Sequence, residues 1–331
     1  MNIIYITNVY PTKIRNLSPI VKNTMEQYLK YNDDSIFLKV LNKQNFFRTI
    51  FFLRKEIKEK EIDILHIHFG GLYALLVILM CQFTSTKKII SFHGTDIHGQ
   101  LHKKASYKDK IKIKIKINQM SSFLSFLFID KIDFVSKSLI AFIPSFYSKL
   151  FEHKYNISVL GVDYDIFRPI KITEAKSLLN LDKNINYILF VNNNNSLVKR
   201  EGYAREIINE LGESFQMLKL ENIPHDKLYL YFNSSLFLLI TSENEGSPNV
   251  VREAIATNLP IVSVDVGDIS EYINKMKKSI LIEKYNSCKA IEKIKKNIEN
   301  FGTREDSRGK FEQLISYQST SQSMYELYSK L

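Results

Sequence analysis

This 331-residue chain has two glutamates, Glu245 and Glu253, eight positions apart. Their spacing is the feature of the sequence that most directly suggests a ligand-binding or catalytic site. Between them, Ser247 is typical of a helix N-cap and Pro248 of a first helical residue, so a helix is predicted to begin there. Glu253 would then lie about 7.5 Å along the helix axis. The free N–H groups of a helix start bind anions. This order of groups suits a sugar, a diphosphate and a ribose, although two solvated acids beside an ordinary helix would show the same spacing.

The elements that would position these acids alternate along the chain. An apolar segment with the length of a buried parallel strand, Leu236–Ile240, precedes Glu245. The other predicted strands are Ile3–Thr7, Ile36–Leu41, Ile64–His68, Lys88–Phe92, Phe134–Ser136, Ile157–Leu160, Tyr187–Val191, Phe215–Lys219, Ile261–Val264 and Ile280–Ile282. Helical segments between strands indicate doubly wound α/β domains. The length suits two domains, predicted as residues 1–170 and 171–331.

The segment that follows Leu236–Ile240 resembles the signature of glycosyltransferase family 4, whose members are retaining glycosyltransferases with the GT-B fold. That signature is a loop Glu followed by Gly, then a second Glu eight positions later followed by Ala, as in Glu245-Gly246 and Glu253-Ala254. The resemblance spans nearly the whole chain. It implies two Rossmann-like, doubly wound parallel-sheet domains facing a central cleft. The last helix, about residues 319–331, would pack back on the first domain.

The resemblance also implies roles for single residues of the second half. The first Glu of the family contacts hydroxyls of the donor sugar and the second binds the nucleotide ribose, which gives these roles to Glu245 and Glu253. The residues between them are expected to bind the donor as well: Gly246, Ser247, Pro248, Asn249 and Val250. Lys199 matches a family lysine aimed at the donor diphosphate, where a cation stabilises the leaving group. The arginine expected five positions earlier is Asn194 here, which leaves Arg200 as a candidate replacement, although a Lys-Arg pair in a loop is also an ordinary surface feature.

In the first half, His93 follows a predicted strand within the segment Ser91–Asp96. The segment resembles the family's strand-end motif, in which the histidine faces the reacting sugar, and an imidazole can hold a sugar hydroxyl. Asp96 and His68 are expected on the acceptor side. His66 and His68 are two apart on a strand and so point to one face, but no third metal ligand is evident in the sequence. These two histidines are therefore interpreted as structural or acceptor-side.

Two features of the sequence depart from the family pattern, and a third resembles a metal-binding motif of another fold. The loop after the first strand, Asn8–Val21, lacks the glycines that usually lie near the donor phosphates, and Leu160 stands where the family usually has Asn. The triplet Asp163-Tyr-Asp165 has the D-x-D form that holds a metal in a different glycosyltransferase fold. It lies in the predicted interdomain segment, far along the chain from Lys199, and is interpreted as structural. No catalytic metal and no cofactor are expected.

The formal net charge of +11 is unevenly distributed. Seven lysines and one acid, Asp109, lie between Lys103 and Lys116, and the apolar run Phe123–Ile129 follows. Basic residues beside exposed aromatics suit an anionic membrane surface or nucleic acid, and a solvated lysine face over core isoleucines is the alternative. The Lys-Ile alternation from Lys110 to Ile117 is strand-like by periodicity, whereas the resemblance implies a helix there.

The predicted activity is transfer of a hexose-type sugar from a nucleoside diphosphate donor to a glycan or lipid-linked acceptor in bacterial surface polysaccharide synthesis. A cytoplasmic location is expected because Cys81 and Cys288 match no metal or redox spacing, and the anionic inner membrane surface is a candidate partner. One alternative is a nucleotide-sugar epimerase on the same fold, which the two-Glu signature disfavours. Another is a non-catalytic nucleic-acid-binding protein, for which no motif is recognisable, so no nucleic acid partner is expected.

Overall fold

The computed structural model describes residues 1–11, 20–42, 44–98, 109–192, 196–221 and 223–331. The strands are β1 (Asn2–Thr7), β2 (Ser35–Val40), β3 (Ile64–His68), β4 (Lys87–Phe92), β5 (Lys131–Phe134), β6 (Tyr155–Ile157), β7 (Asn186–Val191), β8 (Phe215–Leu220), β9 (Ser235–Ile240), β10 (Ile261–Val264) and β11 (Ile280–Ile282). The helices are α1 (Ile20–Tyr31), α2 (Phe46–Glu59), α3 (Leu72–Met80), α4 (Thr95–His98), α5 (Asp109–Ser125), α6 (Ser145–Phe151), α7 (Ile172–Leu178), α8 (Glu201–Leu211), α9 (Leu228–Ser234), α10 (Asn249–Ala256), α11 (Ile269–Ile273), α12 (Ser287–Phe301), α13 (Ser307–Ile315) and α14 (Tyr317–Ser329).

The described chain divides into two compact units. The first contains the described residues up to Gly161 together with Tyr317–Leu331, and the second is Val162–Ser316. Val162 and Ser316 form an isolated parallel bridge, so the chain enters and leaves the second unit at neighbouring points. This division comes slightly before residue 170 in the chain, and it gives the last helix, α14, to the first unit.

The sheet of the first unit has the order β2-β1-β3-β4-β5-β6, with every neighbouring pair parallel. Alternate residues of β1 face opposite sides of it. Ile4 and Ile6 belong to a core shared with buried residues of α2 and α3, whereas Ile3 and Tyr5 belong to a core shared with α1 and α14. The apolar strand segments therefore build a sheet covered on both faces, as their sequence predicts.

A chain of buried polar groups fixes α14 to the first sheet. The Tyr328 hydroxyl lies 2.6 Å from the Tyr5 hydroxyl and 2.6 Å from His66 Nδ1. His66 Nε2 lies 2.7 Å from the Ser91 hydroxyl, which donates to Asp133 at 2.7 Å. Because buried polar groups are costly without partners, these contacts specify one position of the helix on the sheet.

The sheet of the second unit has the order β11-β10-β9-β7-β8 and is also parallel. When strands are counted within each unit, both sheets contain the order second, first, third, fourth, fifth. In the first unit β2 lies on one side of β1 and all later strands lie on the other side, so the strand order reverses between β1 and β3. In the second unit it reverses in the same way between β7 and β9. Open parallel sheets bind ligands at the carboxyl ends of strands at such a switch point.

The fold class predicted from the sequence is confirmed, and three local predictions need correction. The strand interpretation of Lys110–Ile117 is wrong, because these residues lie in α5, which packs against α3. The last two strands of the first sheet, β5 and β6, begin and end earlier than predicted, at Lys131–Phe134 and Tyr155–Ile157. Within the described residues, no helix is both long and apolar enough to cross a membrane.

Candidate functional site

Lys199 and Glu245 meet at the switch point of the second sheet. Lys199 ends a short 3-10 turn after β7, and Glu245 lies in the loop after β9. The Lys199 Nζ atom lies 2.6 Å from Glu245 Oε1, and the two side chains are 29% and 15% exposed. Both residues line a recess together with Pro248 and Val250. The structure thus brings together a cation and an acid that the sequence assigned separately to one ligand.

Main-chain contacts between the two loops hold this pair in place. The Glu243 N–H donates to the Val198 carbonyl at 2.8 Å, and the Thr241 hydroxyl donates to the Lys199 carbonyl at 2.8 Å. These bonds join the backbone at Lys199 to the segment two to four residues before Glu245, so the two loops are held together without the side-chain ion pair. The site is therefore organised before any ligand enters.

The helix after Glu245, α10, begins one residue later than predicted. Its first residue is Asn249 and its N-cap position is Pro248, so the prediction of Ser247 as the cap is wrong. The Ser247 hydroxyl instead donates to Asp268 Oδ2 at 2.5 Å and accepts from Arg252 at 2.7 Å. Proline has no side-chain acceptor for the first-turn N–H groups. The amino end of α10 is thus suited to an anion from a ligand.

Arg252 is a fully buried residue that clamps the start of α10. Its guanidinium donates to the Ser247 hydroxyl, to the Ser247 carbonyl at 3.1 Å and to Asn249 Oδ1 at 2.6 Å. Burial raises the pKa of Asp268, and the Arg252 charge offsets only part of that rise. Sequence reasoning assigned no role to Arg252 or Asp268. The available signal was a single arginine among the apolar residues of a short helix.

Gly267 lets the loop after β10 approach the Glu245 loop. Its φ is +61°, and a Cβ atom there would lie 2.6 Å from the Gly246 carbonyl oxygen and 3.2 Å from that of Glu245. Glycine alone adopts this backbone conformation without strain while leaving room for the two carbonyls. The residue therefore contributes to the position of Glu245.

Glu253 is only partly exposed and has an unusual acidity. Burial raises the pKa of its carboxyl to about 7, and the neighbouring Arg252 charge lowers it only in part. Within the described part of the chain, no side chain or backbone group donates a hydrogen bond to this carboxylate. Its oxygens are consequently available to hydroxyl groups of a ligand, and such donors would favour the ionised form.

The proposed replacement for the missing arginine, Arg200, is already engaged. The guanidinium carbon lies 4.5 Å from the centre of the Tyr203 ring and 4.8 Å from that of Tyr285, and Nη1 donates to the Lys284 carbonyl at 2.5 Å. A role at a diphosphate would require these contacts to be replaced, so the assignment of Arg200 stays a prediction. Asn194 lies outside the described residues.

The predicted residues of the first half meet at the carboxyl ends of β3 and β4. His68 Nδ1 lies 3.3 Å from His93 Nε2. Asp96 accepts the N–H groups of Gly70 at 3.0 Å, His93 at 3.2 Å and Gly94 at 2.8 Å, so its carboxylate fixes the loop that carries His93. Burial lowers the pKa of His93 to about 3 and lowers that of His68 well below its ordinary value. Both imidazoles are therefore neutral near pH 7.

One nitrogen of each imidazole has no hydrogen-bond partner within the described part of the chain. These are His68 Nε2 and His93 Nδ1, and both atoms are buried. The His66 ring stacks on His68 with centres 4.2 Å apart, as expected for residues two apart on one strand. The unpaired nitrogens give the end of the first sheet two groups that could hold a neutral hydroxyl.

The D-x-D triplet makes local contacts. Asp163 Oδ1 accepts the N–H groups of Asp165 at 2.8 Å and Ile166 at 3.2 Å, and so closes the turn. Among the residues with described positions, no group of three or more His, Cys, Asp or Glu is placed to hold a metal ion. The metal-independent reaction predicted from the sequence stays a prediction.

The membrane interpretation requires Phe123–Ile129 to face outward, and only part of this run does. Phe126 and Ile129 are buried in the core of the first unit, whereas Leu124 and Leu127 are 45% and 51% exposed. Of the lysine cluster, Lys114 and Lys116 are exposed, while Lys103, Lys104 and Lys108 lie outside the described residues.

Residues 199–311 match the family model described as Glycosyl transferases group 1. Sucrose-phosphate synthase from Thermosynechococcus elongatus is similar over 100% of this chain and 99% of its own, at 13% identity and a TM-score of 0.74. HepE from Anabaena in complex with UDP is similar over 100% of this chain and 100% of its own, at 10% identity and a TM-score of 0.74. A glycosyltransferase from Rickettsia africae covers 99% of this chain and 98% of its own, at 16% identity and a TM-score of 0.71. A comparison with curated protein sequences finds no match.

These likenesses show that the chain has the GT-B fold. The region that matches the family model begins at Lys199 and includes Glu245, Glu253 and the clamp made by Arg252. HepE has also been crystallised in complex with UDP-glucose. The fold and the matched region together support a glycosyltransferase.

Proposed function

We propose that this chain is a retaining glycosyltransferase that moves a hexose-type sugar from a nucleoside diphosphate donor to a glycan or lipid-linked acceptor. The proposed setting is bacterial surface polysaccharide synthesis on the inner face of the cytoplasmic membrane. The observation that carries the proposal is the Lys199–Glu245 pair, 2.6 Å apart at the switch point beside the start of α10. The family match over residues 199–311, which contains this pair, supports it.

In this proposal the donor diphosphate replaces Glu245 as the ion-pair partner of Lys199. The lysine and the N–H groups at the start of α10 bind the phosphate oxygens, since a charge-assisted bond and the helix dipole both favour an anion there. Glu245 is then free to accept hydrogen bonds from hydroxyls of the transferred sugar. Contacts among Ser247, Asn249, Arg252 and Asp268 fix the backbone of the loop.

Glu253 binds the ribose of the donor in this arrangement. A carboxylate can accept one hydrogen bond from each of two adjacent hydroxyls, and no described residue competes for its oxygens. Because its pKa in the free protein is about 7, ligand hydroxyls that favour the ionised form lower that pKa when the donor binds. Donor binding and ionisation of Glu253 are therefore coupled.

The first unit carries neutral polar groups that suit a sugar hydroxyl. His93, whose Nδ1 is unpaired, would hold a sugar hydroxyl, and His68 would orient it through the 3.3 Å contact between the rings. Asp96 would act by positioning His93, because its carboxylate accepts three backbone N–H groups of the surrounding loop.

The proposed reaction is a front-face displacement. The acceptor hydroxyl attacks the anomeric carbon on the side from which the diphosphate leaves, the C–O bond to the diphosphate breaks, and a leaving phosphate oxygen takes the hydroxyl proton. Lys199 and the start of α10 stabilise the charge that develops on the diphosphate. The anomeric configuration is retained, and a product shown by NMR to have the inverted configuration would overturn this step.

The test of the function is a panel of nucleotide sugars measured by thermal shift, followed by transfer assays with the donor that binds. A ligand present at about 100 times its Kd stabilises a protein by about 2.7 kcal/mol, so a true donor gives a clear shift. Conversion of the donor without any acceptor would instead support an epimerase. Loss of activity in a chelator with recovery on adding manganese would contradict the expected independence of metal.

A further inference from the structure

The layer of helices α2, α3 and α5 has an outward side with unusual composition. Buried residues of α2 and α3, and Phe126 just after α5, belong to one core on one face of the first sheet. Neighbouring helices of this layer contact each other, α2 with α3 and α3 with α5. Their opposite sides therefore face outward together, and these sides form what we call the outer face.

Large apolar side chains are exposed on all three helices of the outer face. Two from each helix illustrate it: Phe47 and Phe51 are 82% and 76% exposed, Leu76 and Leu79 are 38% and 40% exposed, and Met120 and Leu124 are 63% and 45% exposed. In α3, the exposed leucines lie three positions apart and so form one stripe. A contiguous exposed apolar patch of this kind marks an interaction surface, because monomeric proteins seldom leave one uncovered.

The net charge on and beside this face is positive, since α2 carries four basic residues and two acids, Glu56 and Glu59. No aspartate or glutamate occurs in the sequence from Ile64 to Thr95, which includes α3, or from Lys110 to Ile129, which includes nearly all of α5. Lys114 and Lys116 are exposed on α5, and Lys116 lies one turn before Met120 on the same side of the helix. Apolar side chains that can enter an interface, combined with lysines, are typical of elements that lie on anionic bilayers.

We propose that the outer face of α2, α3 and α5 docks the protein on an anionic lipid surface. A second copy of the chain is a poorer occupant, because a symmetric contact would bring the lysines of two copies together. A nucleic acid would use the lysines and leave the leucines without apolar partners. Membrane docking rests on the proposed function only in that a lipid-linked acceptor would lie in the membrane. Binding of the outer face to lipid does not require the nucleotide-sugar donor.

The experiment is co-sedimentation of the full chain with vesicles of phosphatidylcholine alone or mixed with phosphatidylglycerol. Four double variants are compared with wild type. Lys114→Gln with Lys116→Gln removes charge from exposed positions of α5, of which Lys116 lies on the outer face, and Lys293→Gln with Lys296→Gln removes the same charge from exposed positions of α12. Met120→Gln with Leu124→Gln removes apolar surface, and Leu178→Gln with Leu314→Gln does so at positions of the second unit that are 58% and 43% exposed.

Wild type is expected to pellet with the anionic vesicles at low salt and to dissociate at about 1 M salt, where the Debye length is about 3 Å. A lysine near an anionic surface strengthens binding roughly fivefold, so loss of Lys114 and Lys116 should weaken partition by roughly fivefold to thirtyfold. Loss of Met120 and Leu124 should weaken it on the order of tenfold. The two control variants should bind as wild type does.

Three results would overturn the proposal. They are no binding of wild type to anionic vesicles, equal binding to neutral vesicles, and equal losses in the control variants. A dimer without lipid that Met120→Gln with Leu124→Gln dissociates in sedimentation velocity would show instead that the face is a protein interface. Failure here leaves donor binding by thermal shift intact, so the two proposals fail separately.

Discussion

The loops after β7 and β9 in the second unit bring a lysine and a glutamate within 2.6 Å, and both side chains remain partly exposed. The carboxyl ends of β3 and β4 in the first unit bring two imidazoles within 3.3 Å, and the nearby carboxylate of Asp96 is buried against backbone N–H groups. Both pairs lie at the carboxyl ends of neighbouring parallel strands in sheets that share a strand order. The same topology thus presents exchangeable charges in one unit and neutral groups in the other.

The difference comes from burial. Desolvation lowers the pKa values of His68 and His93, so these groups stay neutral near pH 7. In the second unit the Lys199–Glu245 pair keeps contact with solvent, so an anionic ligand can replace one partner at modest cost. In a parallel sheet the loops that follow the strands lie together at the carboxyl ends of those strands. The burial of the side chains there decides whether the site suits a diphosphate or a hydroxyl.

The largest expected effect follows from Lys199→Ala. The substitution leaves the Glu245 carboxylate without its cation in a partly buried site, and it removes a charge-assisted bond to the diphosphate that is typically worth about 1.5–3 kcal/mol. Donor affinity and turnover should each fall by roughly tenfold to a hundredfold. Titration calorimetry with the donor measures the first and initial rates measure the second. Lys295→Ala, at an exposed position of α12, is the control and should match wild type.

The two acids should separate binding from turnover. Glu253→Ala should weaken donor affinity roughly tenfold, because two ribose hydroxyls lose their acceptor. Glu245→Ala should lower kcat more than it changes nucleotide affinity, because its partner is the transferred sugar. Nucleoside diphosphate binding and kcat are measured on both variants. Equal nucleotide affinity in wild type and Glu253→Ala would show that the ribose assignment is mistaken.

The pH dependence of donor binding should distinguish the two units. Since the pKa of Glu253 in the free protein is about 7 and the bound form favours the carboxylate, affinity should fall below pH 7, approaching tenfold per pH unit. A nucleotide sugar is used because its diphosphate does not titrate in this range. Glu253→Gln should flatten the profile, whereas His93→Gln should keep it, because the His93 pKa of about 3 lies outside the window.

The same carboxyl should make the free protein less stable as pH rises. A folded pKa of about 7 lies above the ordinary value of 4.5, so the folded state loses stability between about pH 4.5 and pH 7. Glu253→Gln removes that loss. Its stability relative to wild type should therefore increase by up to about 3 kcal/mol between pH 4 and pH 8, as measured by urea unfolding. A difference that does not change with pH would contradict the raised pKa.

A smaller effect is expected where the loop after β10 supports Glu245. In Gly267→Ala the new Cβ would meet the Gly246 carbonyl at 2.6 Å in a left-handed backbone conformation, so the loop must shift. We expect kcat to fall several-fold and stability to fall by about 1 kcal/mol. Gly202→Ala in α8 is the matched control, because a Cβ there meets nothing within 4 Å. It should be neutral or stabilising by about 0.5–1 kcal/mol.

Much of the architecture could be predicted from local sequence. Apolar segments such as Leu236–Ile240 and Tyr187–Val191 predicted strands within one residue of their observed bounds, because a strand buried on both faces must be continuously apolar. The alternation from Lys110 to Ile117 predicted the wrong element. Two positions along a helix turn about 200°, so a period-two pattern spreads lysines around the helix instead of giving one face, and packing of α5 on α3 decides the conformation.

The amino-acid sequence by itself determined the two α/β units, the placement of Lys199 and Glu245 in loops after strands, and the spacing of Glu245 and Glu253. These follow from short-range apolar patterns and helix-start residues. Only the tertiary structure decided that Ser247 binds Asp268 and Arg252, that Arg200 lies between Tyr203 and Tyr285, and that Phe126 is buried. The physical reason is that desolvation and hydrogen bonding of a side chain depend on groups that other segments of the chain bring to it, and the local pattern does not contain them.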